Sequence, residues 1–221
     1  MPSSSVAFAG ALLLAYLIGS IPFSLILGRL VGGIDLREHG SKNVGATNVT
    51  RLLGWRWGAI ALVLDALKGL LPTFILPRVF EPSTSTIHLA VGCGVAAILG
   101  HMYSCFLKFK GGKGVATSLG VVCVLAPWGA LAALATFVVL FAWKRIVSLG
   151  SIVAAAVFAA VQMALLAPHP FQDSTWSLAA FSLAVPFLVI FRHRANIGRL
   201  IRGEEKALRP VGPSPGATPT V

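Results

Sequence analysis

The chain of 221 residues is 56% hydrophobic and only 11% charged, against about a quarter charged in a soluble domain, which excludes a soluble globular fold and indicates an all-α polytopic membrane protein. The formal charge is +11, yet the basic residues sit in short loops between apolar runs, with no soluble basic domain to hold nucleic acid, so they read as topology signals. Cys93, Cys105 and Cys123 lie in or beside apolar segments, odd in number and without metal spacing, which argues against a disulfide framework or a zinc site.

In chain order, Val6 to Leu30 is long enough to span a bilayer and tilt, with Gly19, Pro22 and Gly28 softening its second half. No basic residue precedes it and no clear cleavage site follows, so it reads as a first span and not as a signal peptide. A polar stretch, Gly32 to Arg56, comes next. The second span runs from about Trp57 to Leu76 and carries Asp65 and Lys68 one helical turn apart, expected to form a structural ion pair facing the protein interior. A short turn is expected over Val79 to Thr86. The third span, Ile87 to Leu107, holds His101 near its inner end, expected as a hydrogen-bonded core histidine. Val115 to Trp143 is apolar except for a Pro-Trp-Gly break at Pro127 to Gly129, and Lys144 and Arg145 close it. Val147 to Ala167 and Ser174 to Phe191 are the last two spans. A basic segment, Arg192 to Arg209, precedes a Pro/Gly/Ser/Thr tail, residues 210–221, expected to be disordered. No internal repeat is visible.

Val115 to Trp143 decides the topology. One tilted helix there would put Lys144 and Arg145 across the membrane from Lys113. Two short helices turning at Pro127 put them on the same side. Under the second reading sixteen of the eighteen Lys and Arg residues fall on one face, with Arg78 on the other and Lys68 inside the membrane. The positive-inside rule makes the crowded face cytoplasmic. The expectation is about seven crossings, some short, with the N-terminus outside and the C-terminus cytoplasmic. Its cost is a fourth helix of about fourteen residues, roughly 20 Å, short of the hydrocarbon thickness. Such a helix is tolerable where its start is buried in protein beside a polar cavity.

Three polar segments then share the cytoplasmic face. In Phe106 to Thr117, Lys108, Lys110, Gly111, Gly112, Lys113 and Gly114 precede an apolar run. Glycines allow a tight bend, the following helix start offers unpaired N–H groups, and lysines supply charge, which suits phosphate. The competing reading is a basic loop resting on anionic headgroups. A nucleotide P-loop is excluded, because Leu107 stands five before Gly112 and Gly114 follows Lys113 where a hydroxyl is required. The segment Asp35 to Arg51 is dense in hydroxyls and amides, including Ser41, Asn43, Thr47 and Asn48, and ends in a guanidinium. Such groups orient alcohols and phosphate oxygens, although a solvated loop with helix-capping residues is the plainer alternative. In Arg192 to Glu204, His193 and Asn196 are three apart and share a helical face. Flanking arginines bias His193 to its neutral form, able to accept a proton or orient a hydroxyl. A positive-inside anchor is the alternative there, and Glu204 is expected to pair with a nearby Arg or Lys.

Together these motifs resemble the bacterial membrane acyl-phosphate:glycerol-3-phosphate acyltransferases, the PlsY family. The resemblance rests on Gly19 to Pro22, Gly40 to Asn48 with Arg51, Leu64 to Gly69, Gly100-His101, Lys108 to Thr117 and Arg192 to Ile197, in family order over nearly the whole chain. Lys42 departs from the family's frequent glycine. The resemblance implies a seven-helix enzyme of the bacterial inner membrane, a single catalytic domain over residues 1–209, with its site facing the cytoplasm. It implies transfer of an acyl chain from acyl phosphate to the 1-hydroxyl of glycerol-3-phosphate, giving lysophosphatidic acid and inorganic phosphate, the first step of phospholipid synthesis. Its partners would be those two substrates and membrane lipid, with no nucleotide, cofactor or metal. By motif, Ser41, Arg51, Lys113, His193 and Asn196 are the implied catalytic residues. Asn43, Thr47, Asn48, Lys110, Gly111, Gly112, Gly114 and Thr117 are the implied substrate ligands. Lys113 would neutralise the leaving phosphate, and a substrate phosphate oxygen would act as base while His193 orients the substrate. The His-plus-five-Asp signature of the other glycerol-phosphate acyltransferases is missing at all five histidines. Rival readings are a transporter of an organic phosphate, disfavoured by the crowding of polar groups on one face, and a scaffold for anionic lipid.

Overall fold

The computed structural model describes residues 4–80 and 87–209, and its regular structure is entirely helical. Residues 81–86, most of the expected turn, and the expected disordered tail lie outside the described residues.

The first apolar run is two helices. Pro22 lacks an N–H and clashes with a preceding carbonyl, so α1 (Ser4–Ser20) ends before it and α2 (Phe23–Gly32) restarts. Gly33 closes α2 in the left-handed region at φ +62°. The polar stretch contains a short helix, α3 (Ala46–Leu53), set against α4 (Trp55–Phe80). Then follow α5 (Ile87–Met102), a 3-10 turn (Cys105–Leu107), α6 (Val115–Leu125) and α7 (Pro127–Lys144). The chain closes with α8 (Val147–Leu166), α9 (Trp176–Arg192) and α10 (Arg194–Ile201).

Ser5–Gly32, Trp55–Phe80, Ile87–Leu107, Pro127–Lys144 and Val147–Leu166 are each long and apolar enough to cross a membrane. Trp176–Arg192 with Arg194–Ile201, bent by 60°, makes a sixth. The expected fourth helix is α6, at 11 residues still shorter than anticipated. Only Ala126 separates it from α7, with Pro127 supplying a first-turn residue that needs no N–H partner. The chain reverses there. Beyond the end of α7, Arg145 O accepts the Leu208 N–H at 2.8 Å, and Ser148 donates to Glu205 at 2.7 Å, beside the residues that meet Lys113. The end of α7 therefore returns to the face from which α6 starts.

Helices in a bilayer associate through close packing and not through water exclusion, which favours small residues at crossings. The α4–α6 crossing is reciprocal: a Cβ at Gly69 would lie 2.2 Å from Thr117 O, and one at Gly120 would lie 1.9 Å from Ala66 O. This crossing fixes where α6 begins, and so where the preceding loop sits. Gly120→Val is expected to lower stability by about 3 kcal/mol through overpacking; an unchanged thermal midpoint in detergent would refute the crossing.

Asp65 and Lys68 form the expected ion pair, at 2.9 Å and buried. Ser24 donates to Asp65 at 2.9 Å, and Lys68 donates to Ile21 O at 2.7 Å, so the pair ties α4 to the break between α1 and α2. The expectation for His101 needs correction. It is buried, but its Nδ1 has no hydrogen-bond partner among the described residues and stands 3.8 Å from Asp65 Oδ1, because Ser24 and Lys68 already hold that carboxylate.

Candidate active site

The loop before α6 is folded onto the end of α5. Lys108 and Phe109 take left-handed backbone at φ +51° and +61°, which turns the chain back after the 3-10 turn. The Gly111 N–H donates to Met102 O at 3.1 Å and the Gly112 N–H to His101 O at 3.2 Å. Their carbonyls accept from Arg192 Nη2 at 3.0 and 2.8 Å. The expectation that the Gly111 and Gly112 N–H groups cradle an anion is therefore corrected: both are used to dock the loop on α5. Gly114, at φ +83°, starts α6, and the unpaired N–H groups of that first turn are the backbone donors left for an anion. Lys110 is exposed at the loop's outer edge.

Lys113 lies between this loop and the C-terminal segment, its Nζ donating to Asn196 Oδ1. Burial lowers its pKa to about 8, with Glu205 opposing and Arg199, Arg192 and Arg51 reinforcing the shift. Arg51, on α3, thus brings the first polar segment into the same electrostatic field. His193 stands in the break between α9 and α10. Its Nδ1 donates to Val189 O at 2.8 Å, leaving Nε2 as an acceptor. His193 is 2% exposed. Because the ammonium form of Lys113 attracts anions and is lost above about pH 8, activity at limiting substrate is expected to fall as pH rises through that value. A pH–rate profile flat to pH 10 would contradict it.

Asn196 Nδ2 donates to Glu205 Oε1 at 2.6 Å, and Glu205 also accepts from Ser148 at 2.7 Å and Arg199 at 2.6 Å. Glu205, Ser148 and Arg192 were missed from the sequence. Glu204 pairs with Arg202, as expected of it.

The first polar segment is less direct. Asn48 is fully buried; its Nδ2 donates to Leu36 O and His39 O, both at 3.1 Å, and its Oδ1 accepts the Ser41 N–H at 2.9 Å. Those bonds use both amide protons, so Asn48 folds the loop and is not positioned as a substrate ligand, which corrects that expectation. The loop carries Ser41 at its surface and Asn43 and Thr47 half-buried. It touches the glycine loop at Val44, whose carbonyl lies 2.9 Å from where a Cβ on Gly112 would be. Thr117 is also corrected: it is fully buried, packed on Gly69 of α4, and its hydroxyl faces no open space.

From the first turn of α6 an apolar groove of about 160 Å³ runs between α6, α7, α8 and α9, lined by Val115, Ala116, Phe137, Ala154, Phe158 and Val189 among others. The half-buried Lys113 thus stands two residues before Val115, where the apolar groove begins.

The family described as glycerol-3-phosphate acyltransferase matches residues 9–203. This chain belongs to that family. Glycerol-3-phosphate acyltransferase of Anaeromyxobacter dehalogenans (strain 2CP-1 / ATCC BAA-258) is 48% identical over 200 residues, covering 89% of this chain and 96% of its own. The enzyme of that name from Myxococcus xanthus (strain DK1622) is 47% identical over 194 residues, covering 88% and 96%. A crystal structure of PlsY (YgiH), an integral membrane glycerol 3-phosphate acyltransferase, in its glycerol 3-phosphate form is 39% identical. It superposes with TM-score 0.80 over 91% of this chain and 96% of that one. The family resemblance read from the motifs is confirmed, and with it an integral membrane acyltransferase fold.

Proposed function

We propose that the protein transfers a fatty acyl chain from acyl phosphate to the 1-hydroxyl of glycerol-3-phosphate, releasing lysophosphatidic acid and inorganic phosphate. Family membership supports the acceptor. The observation that carries the donor is the apolar groove lined by the first turn of α6, the helix that follows Lys113 in the chain, since acyl phosphate is an apolar chain ending in an anion. The hydroxyl oxygen attacks the acyl carbonyl carbon, the carbonyl carbon–oxygen bond to phosphate breaks, and the phosphate departs as an anion that Lys113 neutralises. The hydroxyl proton passes to a substrate phosphate oxygen. His193, with Nε2 free to accept, orients the substrate and leaves the attacking hydroxyl's proton to the phosphate. Arg51, with Ser41, Asn43 and Thr47 on the adjacent segment, and Lys110 at the rim hold glycerol-3-phosphate, while Asn196 holds Lys113 in place.

In this reading residues 1–209 are one catalytic domain of the bacterial inner membrane with seven crossings, α6 being the short one. The N-terminus lies outside, and the site and C-terminus face the cytoplasm. Sixteen of the eighteen basic side chains on one face support that orientation. The test is phosphate release from purified protein in lipid, given palmitoyl phosphate with and without glycerol-3-phosphate. Release that requires the acceptor is expected. Release without it would make the protein a hydrolase, and none from folded protein would favour an organic-phosphate transporter.

A further inference from the structure

Asp65 and Lys68 take no part in the reaction proposed above, yet a charged pair inside a membrane span is costly to keep. Their surroundings lead to the glycine loop. Asp65 is 2% exposed, Lys68 4% and His101 7%. Ser24 and Lys68 grip the carboxylate, and Lys68 is itself tied to Ile21 O. Asp65 Oδ1, held by Lys68 Nζ at 2.9 Å, faces His101 Nδ1 at 3.8 Å, and that ring nitrogen has no hydrogen-bond partner among the described residues. Both residues line a small cavity with Ser20, Ser24, Ser104 and Gly112.

The other edge of the His101 ring abuts the loop. A Cβ at Gly112 would lie 2.3 Å from His101 Nε2, so the imidazole fills the space a side chain would take. The Gly112 N–H also bonds to the His101 carbonyl. A carboxylate facing Nδ1 favours the tautomer protonated there, which leaves the Nε2 lone pair against the Gly112 Cα. The next residue is Lys113.

We infer that Asp65, Lys68 and His101 are positioning residues for this acyltransfer, a buried polar strut that sets the ring of His101 under Gly112 and thereby the place of Lys113. The strut joins the α1–α2 break, α4 and the end of α5 to the loop, and touches no substrate. This rests on the acyl-phosphate reading above, in which Lys113 meets the leaving phosphate.

The experiment compares His101→Leu, His101→Asn and Asp65→Asn in the full chain in lipid, by phosphate release from palmitoyl phosphate with glycerol-3-phosphate varied. Acceptor-dependent release by the unmodified protein tests the reaction itself, so failure of that reading is seen separately. His101→Leu is expected to stay folded and lose about a hundredfold in kcat, the scale of a 1 Å misplacement, with KM for glycerol-3-phosphate unchanged. His101→Asn restores an N–H where Nδ1 stood and is expected to recover most of kcat. A role in packing alone predicts the reverse order. Folded His101→Leu with unaltered kcat, or His101→Asn as slow as His101→Leu, overturns the inference. Should His101→Leu fail to fold, Asp65→Asn replaces it, with at least a tenfold fall in kcat expected in folded protein and unaltered kcat refuting. If neither folds, the cluster is structural and the inference fails.

Discussion

Lys113→Ala is expected to reduce acceptor-dependent phosphate release about a hundred- to a thousandfold, the range for removing one preorganised charge-stabilising donor. Lys113 combines partial burial, a fixed position on Asn196 and a place just before the first turn of α6, which lines the apolar groove. A cation already held in place and partly stripped of water needs less reorganisation when the phosphate develops its charge, which is why the effect belongs in kcat. The loss should not be one of folding. Removing the ammonium ends its attraction to Glu205 as well as its repulsion with Arg199, Arg192 and Arg51, which leaves the about 1–3 kcal/mol of an unpartnered Asn196 oxygen as the main folding cost. Lys113→Arg is expected to recover only part of the rate, because a planar fork cannot take the place of a compact ammonium. Kinetics with a parallel thermal unfolding measurement decide it; folded Lys113→Ala within tenfold of the unmodified rate would remove Lys113 from the chemistry.

The parts of this architecture written in local pattern were legible in the sequence. Apolar run lengths gave the spans, Pro127 gave the reversal between α6 and α7, and a one-turn spacing gave the Asp65–Lys68 pair. Polar and glycine residues interrupting apolar runs marked the segments, and the family resemblance of their motifs singled out Lys113, His193 and Asn196 within them. What the sequence did not carry is the direction of groups whose partners are distant along the chain. Asn48 is polar in a polar segment, and only the fold shows its amide spent on Leu36, His39 and Ser41. Gly111 and Gly112 look like anion donors until their N–H groups are traced to α5. Thr117 follows the glycines in sequence, yet the helical turn carries it round to α4. Glu205 was invisible for a further reason: it lies in irregular chain beyond α10, where no periodicity marks a position as buried.

Glu205→Ala is expected to cost about 3 kcal/mol of stability, the scale of breaking a partly buried, charge-assisted cluster, and to lower activity with it. The carboxylate joins Ser148 at the start of α8 to Asn196 and Arg199 on α10, so its removal frees the helix that holds Lys113. Burial pushes its pKa up, but the bonds from Ser148, Asn196 and Arg199 outweigh that and hold it below the ordinary value. A depressed carboxylate contributes stability that is present at neutral pH and lost as pH falls through the carboxylate range. The variant should therefore show less acid dependence of its thermal midpoint than the unmodified protein. Glu205→Gln separates the two roles. Its amide oxygen can still accept from Asn196 and Ser148, while the charge opposite Arg199 is gone. Arg199 is 41% exposed along its side chain, so water takes up much of that loss, and about 1 kcal/mol is the expected cost. Activity should then remain within about tenfold of the unmodified rate while Glu205→Ala falls much further, since Asn196 keeps its anchor in one variant and loses it in the other. Equal activity in both variants, at equal folded fraction, would show that Glu205 acts on the fold alone and that Asn196 does not depend on it to hold Lys113.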